Sequence, residues 1–234
     1  MHIIIGDNYY SGIKDDLIID QTQKNVFERL EQFLYKHKND YKILLISYEL
    51  KDKIEELKSN NNDNIQLPIL RCIIPDKVLP KIDFKPKKKS KNEFIKFEPE
   101  FNKQNYISIV NTIKDHIQKG DIYETNFCYN WESKQIINDT YSIFKKLNTL
   151  TKAPFSVYAE IDDHVIISAS PERFLKKEGN KLITQPIKGT AKRGINKKED
   201  IELINQLKND HKENTENIMI VDLVRNDLSK IATE

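Results

Sequence analysis

The sequence predicts an α+β layered domain with mainly antiparallel sheet, and three observations predict it. Short strand candidates are joined by tight turns, helical segments follow them in blocks, and the 234 residues hold only six glycines with no glycine-rich phosphate loop. The first two describe strands that pair as hairpins and are then covered by helices. The third argues against a parallel dinucleotide-binding sheet.

Taken in order, residues 24–38 read as a helix, because Val26, Phe27, Leu30, Phe33 and Leu34 recur at helical spacing. Ile43–Tyr48 is a short apolar run suited to a buried strand, and Ser59–Asn64 is a polar loop. From Pro75 to Pro99 come four of the eight prolines and the basic run Lys85–Lys91, the composition of an exposed connection or edge segment. Residues 102–119 put Tyr106, Ile109, Val110, Ile113 and Ile117 on one helical face, with Gly120 as the C-terminal stop. Asp121–Trp131 alternates Tyr123, Thr125, Phe127, Tyr129 and Trp131 with mostly polar neighbours and predicts a strand. A helix over 139–150 carries Tyr141, Phe144 and Leu147. Strands are then predicted at Phe155–Ile161, His164–Ala169 and Lys181–Ile187, the first pair joined by an Asp162-Asp163 turn. Two helices, about 198–209 and 211–231, close the sequence.

Composition narrows the partners. Lys and Arg number 38 against 36 Asp and Glu, so nothing in the charge balance points to nucleic acid or to a membrane surface. The excess of Lys, Asn and Ile reads as A/T-rich codon usage. Cys72 and Cys128 lack the paired spacing of a metal site and read as reduced thiols. No apolar run reaches the length of a bilayer span, and Met1–Tyr10 has no basic leader, so a cytoplasmic protein is expected.

Three stretches carry chemistry. In Ser168-Ala169-Ser170-Pro171-Glu172-Arg173-Phe174 an apolar strand ends in small residues and presents a carboxylate. Glu172 reads either as a surface partner of Arg173 or, near packed apolar residues, as a carboxyl with a raised pKa that serves as a general acid. In Gln185-Pro186-Ile187-Lys188-Gly189-Thr190 a lysine follows a strand and precedes a Gly-Thr turn that offers N–H groups and a hydroxyl to an anion. Lys188 reads either as a solvated loop lysine or as an amine desolvated into a nucleophile. In Lys212–Leu228, Glu213 and Glu216 sit three apart on one helix face. They are either a solvated first turn or oxygen ligands for a hard cation.

In this order, SASPERF, QPIKGT with the basic turn Lys192-Arg193-Gly194, and KENTENIMIVDLVRNDL resemble the chorismate-binding enzymes; GDIYETNFC (120–128) and PFSVY (154–158) are similar as well. The resemblance is dense from Tyr106 onward and thinner upstream, at Ile43–Leu50. It implies a first region over 1–100 and, over 101–234, the N-terminal half of the catalytic domain.

Carried over residue by residue, the resemblance makes Glu172 the acid that protonates the departing 4-hydroxyl of chorismate. Glu213 and Glu216 would hold Mg²⁺, and Ser170, Gly189 and Thr190 would line the substrate turn. Lys188 discriminates within the family. Aminodeoxychorismate synthases resemble this chain in having PIKGT, where the lysine attacks C2; anthranilate and isochorismate synthases usually carry alanine there. Glu124 stands where isochorismate-forming relatives have a base lysine.

The expected activity is therefore conversion of chorismate and ammonia to 4-amino-4-deoxychorismate for 4-aminobenzoate and folate, the ammonia coming from a glutamine amidotransferase subunit. The alternatives are anthranilate synthase component I, or a non-catalytic chain retaining the family's surfaces. Family segments resembling GSITGAPK and RGxYxG, and a distal glutamate, are absent up to Glu234. The expectation is a C-terminally incomplete fold that lacks strands and a pocket wall and is inactive by itself.

Overall fold

The computed structural model describes residues 1–56, 63–84 and 94–233; the basic run Lys85–Lys91 and most of the loop Ser59–Asn64 lie outside the described residues. Contacts divide the chain into two compact units, residues 1–85 with 144–234 and residues 86–143.

The sequence opens with β1 (His2–Ile5) and β2 (Asn8–Ser11), a hairpin that turns at Gly6, whose φ of +58° costs glycine nothing. Next come β3 (Asp15–Ile19), α1 (Val26–Lys36), β4 (Ile43–Ile46), a 3-10 turn (Tyr48–Lys53), β5 (Leu70–Ile74) and β6 (Lys77–Pro80).

The second unit holds β7 (Glu98–Pro99), α2 (Lys103–Lys119) and β8 (Trp131–Glu132). The Asn102 side chain caps α2 by accepting from Asn105 N at 2.9 Å, and Gly120 ends it at φ +79°. The strand expected over Asp121–Trp131 shrinks to β8, which pairs only with Glu98–Pro99. An extended segment needs backbone partners along its length. Here the alternating rings satisfy themselves instead: Phe127, Tyr129 and Trp131 gather with Phe101 and Tyr106, centroids 5.6–6.2 Å apart.

The remainder is α3 (Thr140–Thr151), β9 (Phe155–Ile161), β10 (His164–Ser170), β11 (Arg173–Glu178), β12 (Lys181–Gln185), α4 (Lys197–Asn209) and α5 (His211–Ser229). Every strand pair among the described residues is antiparallel. One sheet runs β10-β9-β1-β2-β6, a second β3-β5-β4, and β11-β12 is a separate hairpin.

Period-two alternation builds the first unit in layers. Ile3, Tyr10, Ala159 and Ile161 on one face of the five-stranded sheet pack on Ile43 and Ile73 of the three-stranded sheet. On the opposite face, Tyr158 meets Phe144 of α3 at 5.6 Å between ring centroids. The far side of the three-stranded sheet is covered by α1: Val26, Leu30, Phe33 and Leu34 pack on Ile19, Leu70 and Cys72. Cys72 is fully buried, which pushes its thiol up, whereas Cys128 is exposed.

A buried ion network ties the two sheets. Arg71 of β5, 7% exposed, donates from Nη2 to Asp16 Oδ2 at 2.6 Å and from Nε at 3.0 Å. Its Nη1 donates to Asp162, the left-handed residue (φ +51°) in the turn between β9 and β10. No helix among the described residues is long and apolar enough to cross a membrane.

Candidate active site

The site is assembled on three supports in the first unit: the β10–β11 corner, the loop after β12, and the first turn of α5. At the corner, Ser170 Oγ donates to the Glu172 carbonyl at 3.2 Å and lies 3.4 Å from Glu172 N. This tight serine-proline turn ends β10 and starts β11. Arg173 is then held by Gln185 Oε1 at 2.8 Å and stacks on the Phe155 ring at 4.8 Å. A register shift between Arg173 and Lys176 marks a bulge beside the corner.

Glu172 reaches across to the following loop. Its Oε1 accepts from the Ile187 N–H at 3.2 Å, which places the carboxylate one residue from Lys188. The side chain is exposed. Of the two readings of Glu172, the structure has the exposed one, at a corner open to solvent and anchored by one backbone hydrogen bond.

Lys188, only 22% exposed, lies with Nζ 3.8 Å from Glu216 Oε1. Gly189 rests against Glu213: a Cβ there would meet Glu213 Oε2 at 2.5 Å and its Cβ at 3.0 Å. A side chain at this position would require Glu213 to move its carboxylate aside, so glycine suits the loop's close approach to the helix. Thr190 is exposed at the end of the turn.

The carboxylates themselves are set by helix capping. Asp210 accepts from Glu213 N at 2.9 Å and starts α5, so Glu213 and Glu216 fall in its opening turns. Lys212 bridges them, with Nζ 3.0 Å from Glu213 Oε1 and 3.5 Å from Glu216 Oε2. That bond to Glu213, reinforced by Glu216, holds the Lys212 ammonium above its ordinary range. The structure therefore brings Lys188, Gly189, Glu213 and Glu216 together, and ties Glu172, supported by Ser170, to the same loop through the Ile187 amide.

Sequence reasoning missed two features. Lys212 was not read as a partner of both acids, although its i,i+4 spacing to Glu216 is the signal. The second is the clasp that returns the loop to α4. Arg193 donates to Asp200 from Nε at 2.8 Å and from Nη2 at 2.5 Å, and Gly194 N donates to the same carboxylate at 2.9 Å. Arg193 first, and then the Gly194 amide, hold Asp200 down to about 2. Asn196 with Glu199 three residues on is the readable cap signal: Asn196 accepts from Glu199 N at 3.0 Å, and Glu199 from Ile195 N at 2.8 Å.

Gly194 has no room to spare, since a Cβ would fall on the Asp200 and Glu199 backbone. Gly194→Ala is expected to destabilise the protein by about 1–3 kcal/mol, the usual cost of overpacking. A thermal melt within 0.5 kcal/mol of the parent, on the order of measurement noise for surface changes, would remove the clasp from the account.

As a metal position the pair is partial. Among the described residues no three His, Cys, Asp or Glu side chains converge on one point. Glu213 and Glu216 nonetheless form a hard oxygen donor set, and a cation, the Lys212 ammonium, already spans them. That donor set fits Mg²⁺, which commonly takes one or two carboxylates and completes its shell with water or substrate.

The antiparallel sandwich and its helical covers place the chain among layered α+β proteins. Over residues 32–234 it matches the model of the chorismate binding enzymes, and the chain belongs to that family. It is similar to anthranilate synthase component 1 of Thermus thermophilus, 31% identical over 137 residues, which is 58% of this chain and 29% of the relative. It is also similar to aminodeoxychorismate synthase component 1 of Bacillus subtilis, 36% identical over 136 residues, again 58% and 29%. The chain thus covers under a third of these curated relatives. Its fold is similar to anthranilate synthase component I from Streptococcus pneumoniae TIGR4, with a TM-score of 0.77 at 18% identity, covering 99% of this chain and 62% of that one.

Proposed function

We propose that this chain carries the chorismate-aminating machinery of an aminodeoxychorismate synthase component 1. The observation that supports this reading is Lys188, a half-sheltered amine beside Glu216 and next to the residue whose amide binds Glu172. An alanine at that position could form no covalent intermediate.

In the proposed reaction the Lys188 amine forms a bond to C2 of chorismate as both ring double bonds shift, C1=C2 to C1=C6 and C5=C6 to C4=C5, and the C4–O bond breaks. Glu172 delivers a proton to the departing oxygen, which leaves as water. Ammonia then adds at C4, and the lysine departs from C2. Splitting one displacement into two is what a covalent nucleophile offers. Gly189 and Thr190 receive the substrate, while Glu213 and Glu216 would hold Mg²⁺. When bound, the metal supplies positive charge for a substrate carboxylate. The designation "component 1" of the relatives supports a partner subunit, proposed here as a glutamine amidotransferase that releases ammonia.

Intact-mass spectrometry tests the covalent step. With chorismate and Mg²⁺ but no ammonia, a protein extended to the full length of its relatives is expected to gain the mass of chorismate less one water, mapping to Lys188 and missing from Lys188→Ala. An adduct that survives that substitution removes the nucleophile. Anthranilate as the product once ammonium is added would favour the anthranilate synthase relatives instead.

A further inference from the structure

Each acidic side chain of the α5 pair divides its two oxygens between two sides. Glu213 Oε2 lies towards Gly189 and Glu216 Oε1 towards Lys188, both on the loop side. Glu213 Oε1 and Glu216 Oε2 turn instead to the Lys212 ammonium. Lys212 therefore occupies the span between two carboxylates that a divalent cation would occupy.

We propose that Lys212 is a built-in counter-ion for the Glu213–Glu216 pair and that Mg²⁺ binds by displacing it. This rests on the reading of the pair as metal ligands. The two neighbouring lysines differ in how readily they leave. Lys212 is 79% exposed, so its stem swings into water with little lost packing, and exposed ion pairs are weak. Lys188 is 22% exposed and held on its loop, so it remains while Lys212 departs.

Before metal binds, the ammonium offsets repulsion between two acids one turn apart and keeps both carboxylates aimed at one point. The same charge competes with the metal, so the bare site is weak. Affinity then depends on a further anionic ligand, and the metal is retained chiefly together with substrate. Lys212 is a positioning residue in this scheme and touches no reacting atom.

The test is isothermal titration of the purified protein with Mg²⁺ alone, comparing the parent with Lys212→Gln and Lys212→Arg. Removing a unit charge about 4 Å from a divalent ion in a water-like medium should tighten binding about tenfold after salt screening. Lys212→Gln is expected to show that tightening, and Lys212→Arg, which keeps the charge, to stay near the parent. Unchanged or weaker binding in Lys212→Gln overturns the proposal, and so does equal tightening in Lys212→Arg, which would make the effect steric. Absence of Mg²⁺ binding in all three removes the metal reading itself, and the proposal with it. Circular dichroism of each variant checks that the fold is unaltered.

Discussion

In a protein extended to the full length of its relatives, replacing Glu172 by glutamine is expected to lower turnover of chorismate by about 10²–10⁴, the usual contribution of a positioned general acid. Glutamine is close in shape, and its carbonyl oxygen can still accept the Ile187 N–H that Glu172 Oε1 accepts at 3.2 Å. The loop bearing Lys188 should therefore stay in place. What the variant lacks is a proton for the departing hydroxyl. Chorismate binding, read by titration calorimetry, is expected to remain within about threefold, or under 1 kcal/mol. The rate of Lys188 adduct formation should fall in step with turnover, because leaving-group departure accompanies the attack. Parental turnover in Glu172→Gln would rule this carboxyl out as the acid. Weakened binding with normal turnover of bound substrate would make it a binding group instead.

The second large effect concerns stability. Arg71→Ala is expected to destabilise the protein by about 2–4 kcal/mol, below the 3–5 typical of a broken buried pair, because Asp162 is 61% exposed. Three of the lost hydrogen bonds run to Asp16, whose side chain is 19% exposed and would lose its partner. In a thermal melt this corresponds to a drop of roughly 5–15 °C for a chain of this size. The sign with pH is fixed by the anions. Arg71 holds the Asp162 carboxyl below its ordinary range, so this contribution is present above the usual carboxylate pKa and is lost as pH falls through the lowered one. The gap between parent and variant should therefore narrow in acid. A melt at neutral pH that shifts by less than about 1 kcal/mol would show that the two sheets do not depend on this tie.

Much of the fold was legible because local rules and long-range packing agree. Phe155–Ile161 reads as a strand and is one, since the Asp162-Asp163 turn fixes its hairpin with β10 and every second residue finds a core. The helix over 26–36 was visible for the same reason: its stripe meets a sheet. β1 was not visible. Three consecutive isoleucines show no alternation, and their partners Val157, Tyr158 and Ala159 lie far along the chain. β11 was missed because Phe174 is 91% exposed and a bulge breaks the pattern. Asp121–Trp131 erred in the other direction: alternation over most of the segment yields an aromatic cluster, and only its end at Trp131 pairs as a strand among the described residues. In the candidate site, Lys188, Glu213 and Glu216 stood out as residue types in order. Their mutual approach depends on Gly189 being small beside Glu213, a contact that no spacing encodes.

The strand order β10-β9-β1-β2-β6 has a consequence for how the protein is made. β1 is an interior strand, yet His2 pairs with Glu160, more than 150 residues later. At ribosomal rates of about 5–20 residues per second, β1 and β2 leave the ribosome roughly 10–30 s before β9 exists. β6 can join β2 once residue 80 emerges, but the β1 edge with Ile3 and Ile4 stays without β9 and is a template for foreign strands. Closing the sheet early is impossible, so the nascent chain spends that interval open to chaperones and to neighbouring chains. Synthesis up to β9, rather than collapse of the first hundred residues, sets when the sandwich can form.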